Sequence, residues 1–582
     1  MKRKYIVMFL MIWAVQMAAA FYFCAQKQGF HEDEYYTYYS TARTNGFYVE
    51  DGQWMDRDSY RNEFVVLPGQ GFQYGLVKLV QSWDVHPPMY YWVFHTAASL
   101  VPGVFSKWIG LYINLVFWGI NIVLLAYLAY EACGGSEKMA LLVTFAYGLS
   151  PAAMSGVVFI RMYEMLTMFV LLCAVLHVQA LRHLQISVSV KWREKLPVFQ
   201  CLLPMAVVTY LGFLTQYYYF IFLFYLAAAF CAWLLWHDRK IWNCLRYGVS
   251  QGIAFILAYL TYPSCLGQMF RGQRGAQATE NFFDLSNTLQ RFRFFYELLD
   301  EYVFGKMLPV LLLLLVVLFV TAYRKRSMKI EPTQQPCALA ALSVHAPCGL
   351  PACEHPVLAP TFHDAFVSRA TGGTSMKRKS MATAILLFAV LGYFLTVSKT
   401  ALLLGDTSNR YQMPVYGMTV LLLFQAIHVL WQRVRPAAVS NFRGQIYLWA
   451  AAAGICLLVD VAGLVSGRVV FLYPEDKEQI GFAEERAKEG TPVIYLYEAG
   501  AEWCVWDVTD ELLVYPEIYF ASADGTGRLE DDKIRGADSL VAYMAEGVDK
   551  EAQAERILNS NPGLSGWQDV FEEKYCSVYY FQ

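Results

Sequence analysis

Just past its first apolar segment the chain reads His31-Glu32-Asp33-Glu34-Tyr35-Tyr36, three consecutive carboxylates where a membrane span surfaces. A carboxylate held beside a reacting hydroxyl is a general base. Carboxylates flanking a span are equally the ordinary solvated end of a helix. Other ionisable residues bear on the choice. In Trp83-Asp84-Val85-His86-Pro87-Pro88-Met89-Tyr90-Tyr91, a proline pair marks a helix start directly after His86. Arg161-Met162-Tyr163-Glu164, Ser398-Lys399 and Asn409-Arg410-Tyr411 each sit at the edge of an apolar run. Cations there commonly snorkel to the interface. An anion gripped by Lys399, Arg410 and Arg161 beside a carboxylate base is also what transfer from a phosphate leaving group requires.

These residues must be positioned by a membrane protein. Of the 582 residues, 57% are hydrophobic and only 16% charged, against about 25% charged in soluble chains, and the mean hydropathy is +0.33. The net charge of −2 argues against a nucleic-acid partner. The thirteen cysteines are scattered, with no Cys-x-x-Cys pair, and several (Cys173, Cys201, Cys231, Cys456) lie in apolar runs as small hydrophobes.

Apolar runs long enough to span fall near 5–25, 108–130, 138–157, 163–181, 199–214, 217–236, 247–263, 305–323, 381–397, 412–432 and 446–466. In lipid each must be helical. With Met1-Lys2-Arg3-Lys4 inside, the first run (1–25) reads as an uncleaved signal anchor; cleavage after Ala18-Ala19-Ala20 is the alternative. The even-numbered turns then collect Arg182, Lys191, Arg193 and Lys195; Arg239, Lys240 and Arg246; Arg324 to Lys379; and Arg433, Arg435 and Arg443. That repeated excess of cations is the positive-inside pattern, and eleven spans put the C-terminus outside. Counting Pro87 to Val101 as a span would invert every later loop, so it is expected to lie at the outer surface. On this topology Asp33, Glu34, His86, Arg161, Glu164, Lys399 and Arg410 share the outer face.

The expected organisation is therefore an α-helical polytopic membrane protein with a large first outer loop, 26–107, carrying surface helices and the acid cluster. Membrane core follows at 108–326 and 381–466, separated by a cytoplasmic linker, 327–380. That linker holds Cys337, His345, Cys348, Cys353, His355 and His363, in spacings that match no zinc pattern. Residues 467–582 form an outer domain with 24 Asp and Glu against 10 Lys and Arg, a net of about −14. Runs at 493–497, 512–515 and 577–581 read as strands, and 476–489 and 549–559 as helices, giving a small α/β domain. Cys504 and Cys576 are expected to be able to pair there in an oxidising compartment.

Taken in order, His31-x-Asp33-Glu34, His86-Pro87-Pro88-Met89-Tyr90-Tyr91, Arg161-Met162-Tyr163, Leu211-Gly212-Phe213-Leu214-Thr215-Gln216-Tyr217-Tyr218, and Lys399 with Arg410-Tyr411-Gln412-Met413-Pro414 resemble the polyprenol-dependent glycosyltransferases of the GT-C superfamily. The likeness is to the bacterial relatives of protein O-mannosyltransferases, the family 39 type. It implies transfer of a sugar from a polyprenyl-phosphate carrier to an acceptor hydroxyl outside the cytoplasm, with inversion. It implies Asp33 as general base with Glu34 in support, and Lys399, Arg410, Arg161 and His86 as ligands of the donor phosphate. Tyr35, Tyr90, Tyr163, Glu164 and Tyr411 are then expected around the substrate. The chain departs from the family where Val158-Phe159-Ile160 stands for Gln-Glu-Ala and where Gln216 stands for His.

No cofactor is demanded. A divalent cation shared by Asp33, Glu34 and Glu164 is conceivable, though no spacing requires one. A lone carboxylate acting as nucleophile would give retention instead. Two other classes stay open: a polytopic transporter or lipid flippase for envelope glycan precursors, expected to show repeats and mid-span charges, and a receptor whose acidic outer domain binds a partner.

Overall fold

The computed structural model describes residues 2–42, 49–187, 195–238, 241–328, 362–434, 442–524 and 529–582. The linker cysteines and His345 and His355 lie outside those residues. The chain opens with α1 (Arg3–Gln26) and four loop helices, α2 (Glu32–Ala42), α3 (Arg57–Asn62), α4 (Tyr74–Gln81) and α5 (Met89–Leu100). The bundle continues with α6 (Lys107–Ala132), α7 (Glu137–Gly148), α8 (Pro151–Val158), α9 (Tyr163–Ser187), α10 (Leu203–Thr215), α11 (Tyr218–Asp238) and α12 (Ile241–Thr261). After the short α13 (Ser264–Phe270) and α14 (Gln273–Phe283) come α15 (Thr288–Phe304), α16 (Leu308–Met328), α17 (Phe362–Thr400), α18 (Met413–Val434) and α19 (Phe442–Val465).

The protein is a multi-pass membrane protein. Among the described residues eight helices are long and apolar enough to cross a bilayer, and two bent pairs raise the count to ten. The shorter apolar stretch Trp449–Val465 lies on α19. Every one of the eleven apolar runs falls on one of these elements. The run 138–157 is a bent pair, α7 and α8, meeting at 64°. Pro151 has no N–H to continue α7, and the Ser150 hydroxyl caps the new helix by accepting the Ala153 N–H at 3.3 Å. That bend aims the end of α8 at residues 159–162. Asn114 of α6 holds the turn in place, donating to the carbonyls of Val157 at 3.3 Å and Phe159 at 2.5 Å.

α5 is only 12 residues long and does not qualify as a span. It packs on α2 through Tyr38 and Phe94, rings 4.8 Å apart, and through the 2.8 Å contact of His95 Nδ1 with the Thr41 carbonyl. The stretch 87–101 thus holds no helix long enough to cross a bilayer.

The C-terminal part is a six-stranded sheet flanked by α20 (Asp476–Glu489), α21 (Thr509–Leu512), α22 (Asp532–Arg535) and α23 (Lys550–Ser560). Its strands are β1 (Gln53–Asp56), β2 (Val493–Tyr497), β3 (Glu517–Ser522), β4 (Leu540–Ala545), β5 (Trp567–Glu572) and β6 (Cys576–Phe581), in the order β1-β3-β2-β4-β6-β5. β2 runs parallel to β3 and β4, while β1 lies antiparallel on β3 with Trp54 opposite Tyr519. β1 belongs to the first loop, so that loop and the C-terminal part share one sheet.

Two expectations are corrected here. The run 512–515 is no strand: it closes α21 and the following turn, because Pro516 interrupts the ladder of donors and the strand begins only at Glu517. Leu512 and Tyr515 still reach the core, from a helical turn rather than a pleat. Cys504 and Cys576 are both buried and free, not bridged.

Candidate active site

Asp33 lies in the first turn of α2, whose start is built by its neighbours. His31 Nδ1 accepts the Asp33 backbone N–H at 3.0 Å, and burial keeps the His31 imidazole well below its ordinary pKa, hence neutral and able to accept. The Asp33 carboxylate, 22% exposed, meets Arg410 Nη1 at 3.0 Å and Arg161 Nη2 at 3.8 Å. Burial pushes this carboxyl up, but Arg410 and Arg161 outweigh it and hold it well below the usual carboxylate range. Arg161 also donates to the Asp33 carbonyl at 2.8 Å and to Thr37 Oγ1 at 3.1 Å.

Both guanidinium groups are themselves buried. Arg410 lies over the Phe159 ring at 5.4 Å and the Tyr411 ring at 5.1 Å. Its Nε and the Nε of Arg161 are enclosed with no hydrogen-bond acceptor among the described residues. Buried donors left unmade are costly, and here two arginines carrying spare N–H groups surround one carboxylate in a single charged cluster. His86 extends it: its ring nitrogens stand 3.4 and 3.5 Å from Arg161 Nη2, and its Nδ1 meets Asp84 Oδ2 at 3.2 Å. Tyr163 and Tyr218 each present an edge to Tyr411, at 6.2 and 5.8 Å, and form an aromatic wall beside Arg410.

Asp33, Arg161, Arg410 and His86, from four separate parts of the chain, are thus brought together, with Tyr163 and Tyr411 beside them. Other expected site residues sit elsewhere. Glu34 is fully buried: Oε2 pairs with Lys27 Nζ at 2.9 Å and accepts the His31 N–H at 2.7 Å, while Oε1 accepts the Ile160 N–H at 2.6 Å. Every lone pair it can use is turned inward, so it braces the site and does not open onto it. Tyr35 is core, packed on Phe30, Phe64 and Phe105, and buried Tyr90 points its hydroxyl at Asn114, 3.4 Å away.

Lys399 spends its three ammonium donors on the Asp284 carbonyl (2.7 Å), Asn287 Oδ1 (2.6 Å) and Thr288 Oγ1 (3.0 Å), tying the end of α17 to the start of α15. It shares no described hydrogen bond or ion pair with Asp33, Arg161 or Arg410. Glu164, buried in α9, accepts from Asn121 Nδ2 at 2.7 Å and packs against Gly156. Asp33, Glu34 and Glu164 therefore face three different partners, and no group of three metal-ligating side chains occurs among the described residues. Gln216 caps α10 and turns back to its own neighbour, the Tyr217 N–H, at 2.6 Å.

Three contributors were not foreseen. Lys27 reads in sequence as a solvated flank of the first span, yet it is fully buried and also donates to the Phe471 carbonyl at 2.7 Å. Phe471 stacks on Phe159 at 4.0 Å, sealing the floor under Arg410. Asp84 stands two residues before His86 in the motif, and that spacing was its only signal. A separate cavity of about 590 Å³ lies within the bundle between α7, α16, α18 and α19; none of the site residues lines it.

No protein-family model matches the chain, and no curated protein matches it. The chain is similar over nearly its whole length to solved structures at low identity. One is ArnT from Cupriavidus metallidurans bound to undecaprenyl phosphate, with 12% identity and a TM-score of 0.48, covering 100% of this chain and 98% of that one. Another is the archaeal oligosaccharyltransferase AglB from Archaeoglobus fulgidus in complex with an inhibitory peptide and a dolichol-phosphate, with 12% identity and a TM-score of 0.41, covering 95% of this chain and 71% of that one.

Proposed function

We propose that the protein is a membrane glycosyltransferase that moves a sugar from a polyprenyl-phosphate carrier to an acceptor hydroxyl on the extracytoplasmic side. The observation that carries this reading is the pairing of one partly exposed carboxylate with two buried arginines that keep unused donors. It agrees with the order of motifs that resembles the GT-C enzymes, and with the positive-inside pattern, which puts the N-terminus in the cytoplasm and the sheet domain outside.

In this reading the donor phosphate takes the spare N–H groups of Arg410 and Arg161, with His86 adding a ring N–H as a further donor. Drawing the arginines toward phosphate relieves their hold on Asp33, whose proton affinity then rises toward that of a useful base. The acceptor hydroxyl attacks the anomeric carbon from the face opposite the phosphate and gives its proton to Asp33. The bond from that carbon to the phosphate oxygen breaks, and its electron pair leaves with polyprenyl phosphate, neutralised by the arginines. The configuration inverts. Glu34 serves as a positioning residue for Asp33 and Arg161, and Lys399 orders the α14–α15 turn.

The test is a transfer assay on the purified full chain with a panel of radiolabelled polyprenyl-phosphate sugars. Release of polyprenyl phosphate from one donor supports the reading, and no binding of any donor sinks it. A transporter or flippase is the second reading, and one observation favours it. Asp460 is a buried carboxylate inside α19 whose Oδ2 has no hydrogen-bond partner among the described residues, and it lines the 590 Å³ cavity. Lipid translocation in vesicles that survives Asp33→Asn and fails in Asp460→Asn would select it.

A further inference from the structure

We propose that the acceptor is a neutral saccharide, received between the start of α2 and the sheet domain, with Trp503 as its stacking platform and Glu32 as the carboxylate that takes its hydroxyls. The proposal rests on the transferase reading and names the acceptor class for that same site.

Glu32 stands one residue before Asp33. Its Oε1 accepts from Lys574 Nζ at 3.2 Å, while Oε2 is enclosed with no hydrogen-bond partner among the described residues. Lys574 in turn lies 4.2 Å over the Tyr575 ring, and Trp503 meets Tyr575 edge-on at 5.0 Å. The chain between β5 and β6 thus carries a cation and one aromatic, Lys574 and Tyr575, to Glu32 beside Asp33, and Trp503 joins them from the 502–508 turn. Tyr36, on the same face of α2 region, leans on Trp506 at 5.8 Å.

Trp503 is 43% exposed, and in the whole described C-terminal part only Trp567 is another large apolar side chain so open to solvent. Lipid explains the exposed residues of the spans. It does not explain an exposed tryptophan on the sheet domain, where the open indole offers a flat apolar face to a ligand. An aromatic face packs against the C–H face of a sugar ring, and a carboxylate short of a donor accepts its hydroxyls. Together they are the chemistry of saccharide recognition.

The alternatives fit less well. The domain's net charge of about −14 repels a phosphate-bearing acceptor. A peptide would need free backbone groups at the rim, and those of Tyr575 are used: its N–H goes to Asp507 Oδ2 at 2.7 Å, and its carbonyl accepts the Glu546 N–H at 2.7 Å.

The experiment titrates the full chain, in a detergent without a sugar headgroup, with maltose, cellobiose and diacetylchitobiose, and with a serine- and threonine-containing hexapeptide. Binding is read by calorimetry. At least one disaccharide is expected to bind, to weaken about fivefold or more in Trp503→Ala and in Glu32→Gln, and to be unaffected by Trp567→Ala. Asp33→Asn is expected to keep saccharide binding while losing transfer. Saccharide binding with no donor turnover in any protein would overturn the transferase reading and leave the subsite standing. No disaccharide binding, binding indifferent to Trp503→Ala, or binding of the peptide alone overturns the subsite.

Discussion

Glu34 Oε1 accepts the backbone N–H of Ile160 at 2.6 Å, joining two points 126 residues apart. The neighbours of these two residues, Asp33 and Arg161, are the ones that face each other at the site. The same carboxylate is paired with Lys27, which reaches on to Phe471. One buried ion pair therefore sets α1, α2, the turn after α8 and the entry to the sheet domain in a common frame.

Lys27→Met leaves the Glu34 carboxylate buried without its cation. Removing one partner of a buried pair costs about 3–5 kcal/mol, so the thermal midpoint is expected to fall clearly. Lys27→Met combined with Glu34→Gln is expected to recover part of the loss. A double variant as unstable as the sum of the single ones would show that the two groups do not act as a pair.

Gly110→Ala tests the frame from behind. A Cβ at Gly110 would stand 2.0 Å from Ile160 Cγ2, so Ile160 must move and Arg161 with it. Transfer is expected to fall about tenfold or more, in line with the cost of small misplacements of catalytic groups, while the protein remains folded by circular dichroism. Unchanged activity would mean that the 159–162 turn tolerates displacement.

Arg410 depresses the proton affinity of Asp33. In Arg410→Gln the largest cationic hold is lost, and the Asp33 carboxyl rises toward its ordinary range. A base is active only when deprotonated, so the acid limb of the pH profile of kcat/KM is expected to move to higher pH. The donor KM is expected to rise as well. A profile unmoved on the acid side would disconnect Asp33 from the rate.

The interface between α2 and the sheet domain has the opposite pH sense. Burial pushes Asp476 up to about 8, Glu573 to about 7, and Asp507 and Asp510 to about 6. These carboxyls hold protons more tightly folded than unfolded, so the stability they confer is lost as pH rises from about 5 to 8. The melting transition is expected to be higher at pH 5.5 than at pH 8.5, and Asp476→Asn is expected to flatten that slope. A midpoint rising with pH across this window would contradict the burial of these groups.

Much of this was legible in the sequence because lipid permits little choice. The eleven apolar runs had to be helices, and Asp33, Arg161, Arg410 and His86 stood out as ionisable groups at their ends. The sheet domain was less legible. The continuous apolar run at 493–497 and the run 577–581 read as strands, but β1 is four residues with no pattern of its own, and its pairing with β3 is a tertiary fact. Lys27 was missed because a cation at the end of a span reads as solvated, and only the fold supplies Glu34 and Phe471. Lys399 was placed with the phosphate ligands because its position in the motif carries no information on direction; the α14–α15 turn claims it.

Asp33 is the group on which transfer depends. The decisive measurement is release of polyprenyl phosphate from a polyprenyl-phosphate sugar by the purified full chain, wild type beside Asp33→Asn, with both proteins shown to melt alike. Release by the wild type is expected, with a loss of about 10²–10⁴-fold in the variant. Release at the wild-type rate by Asp33→Asn would contradict that dependence.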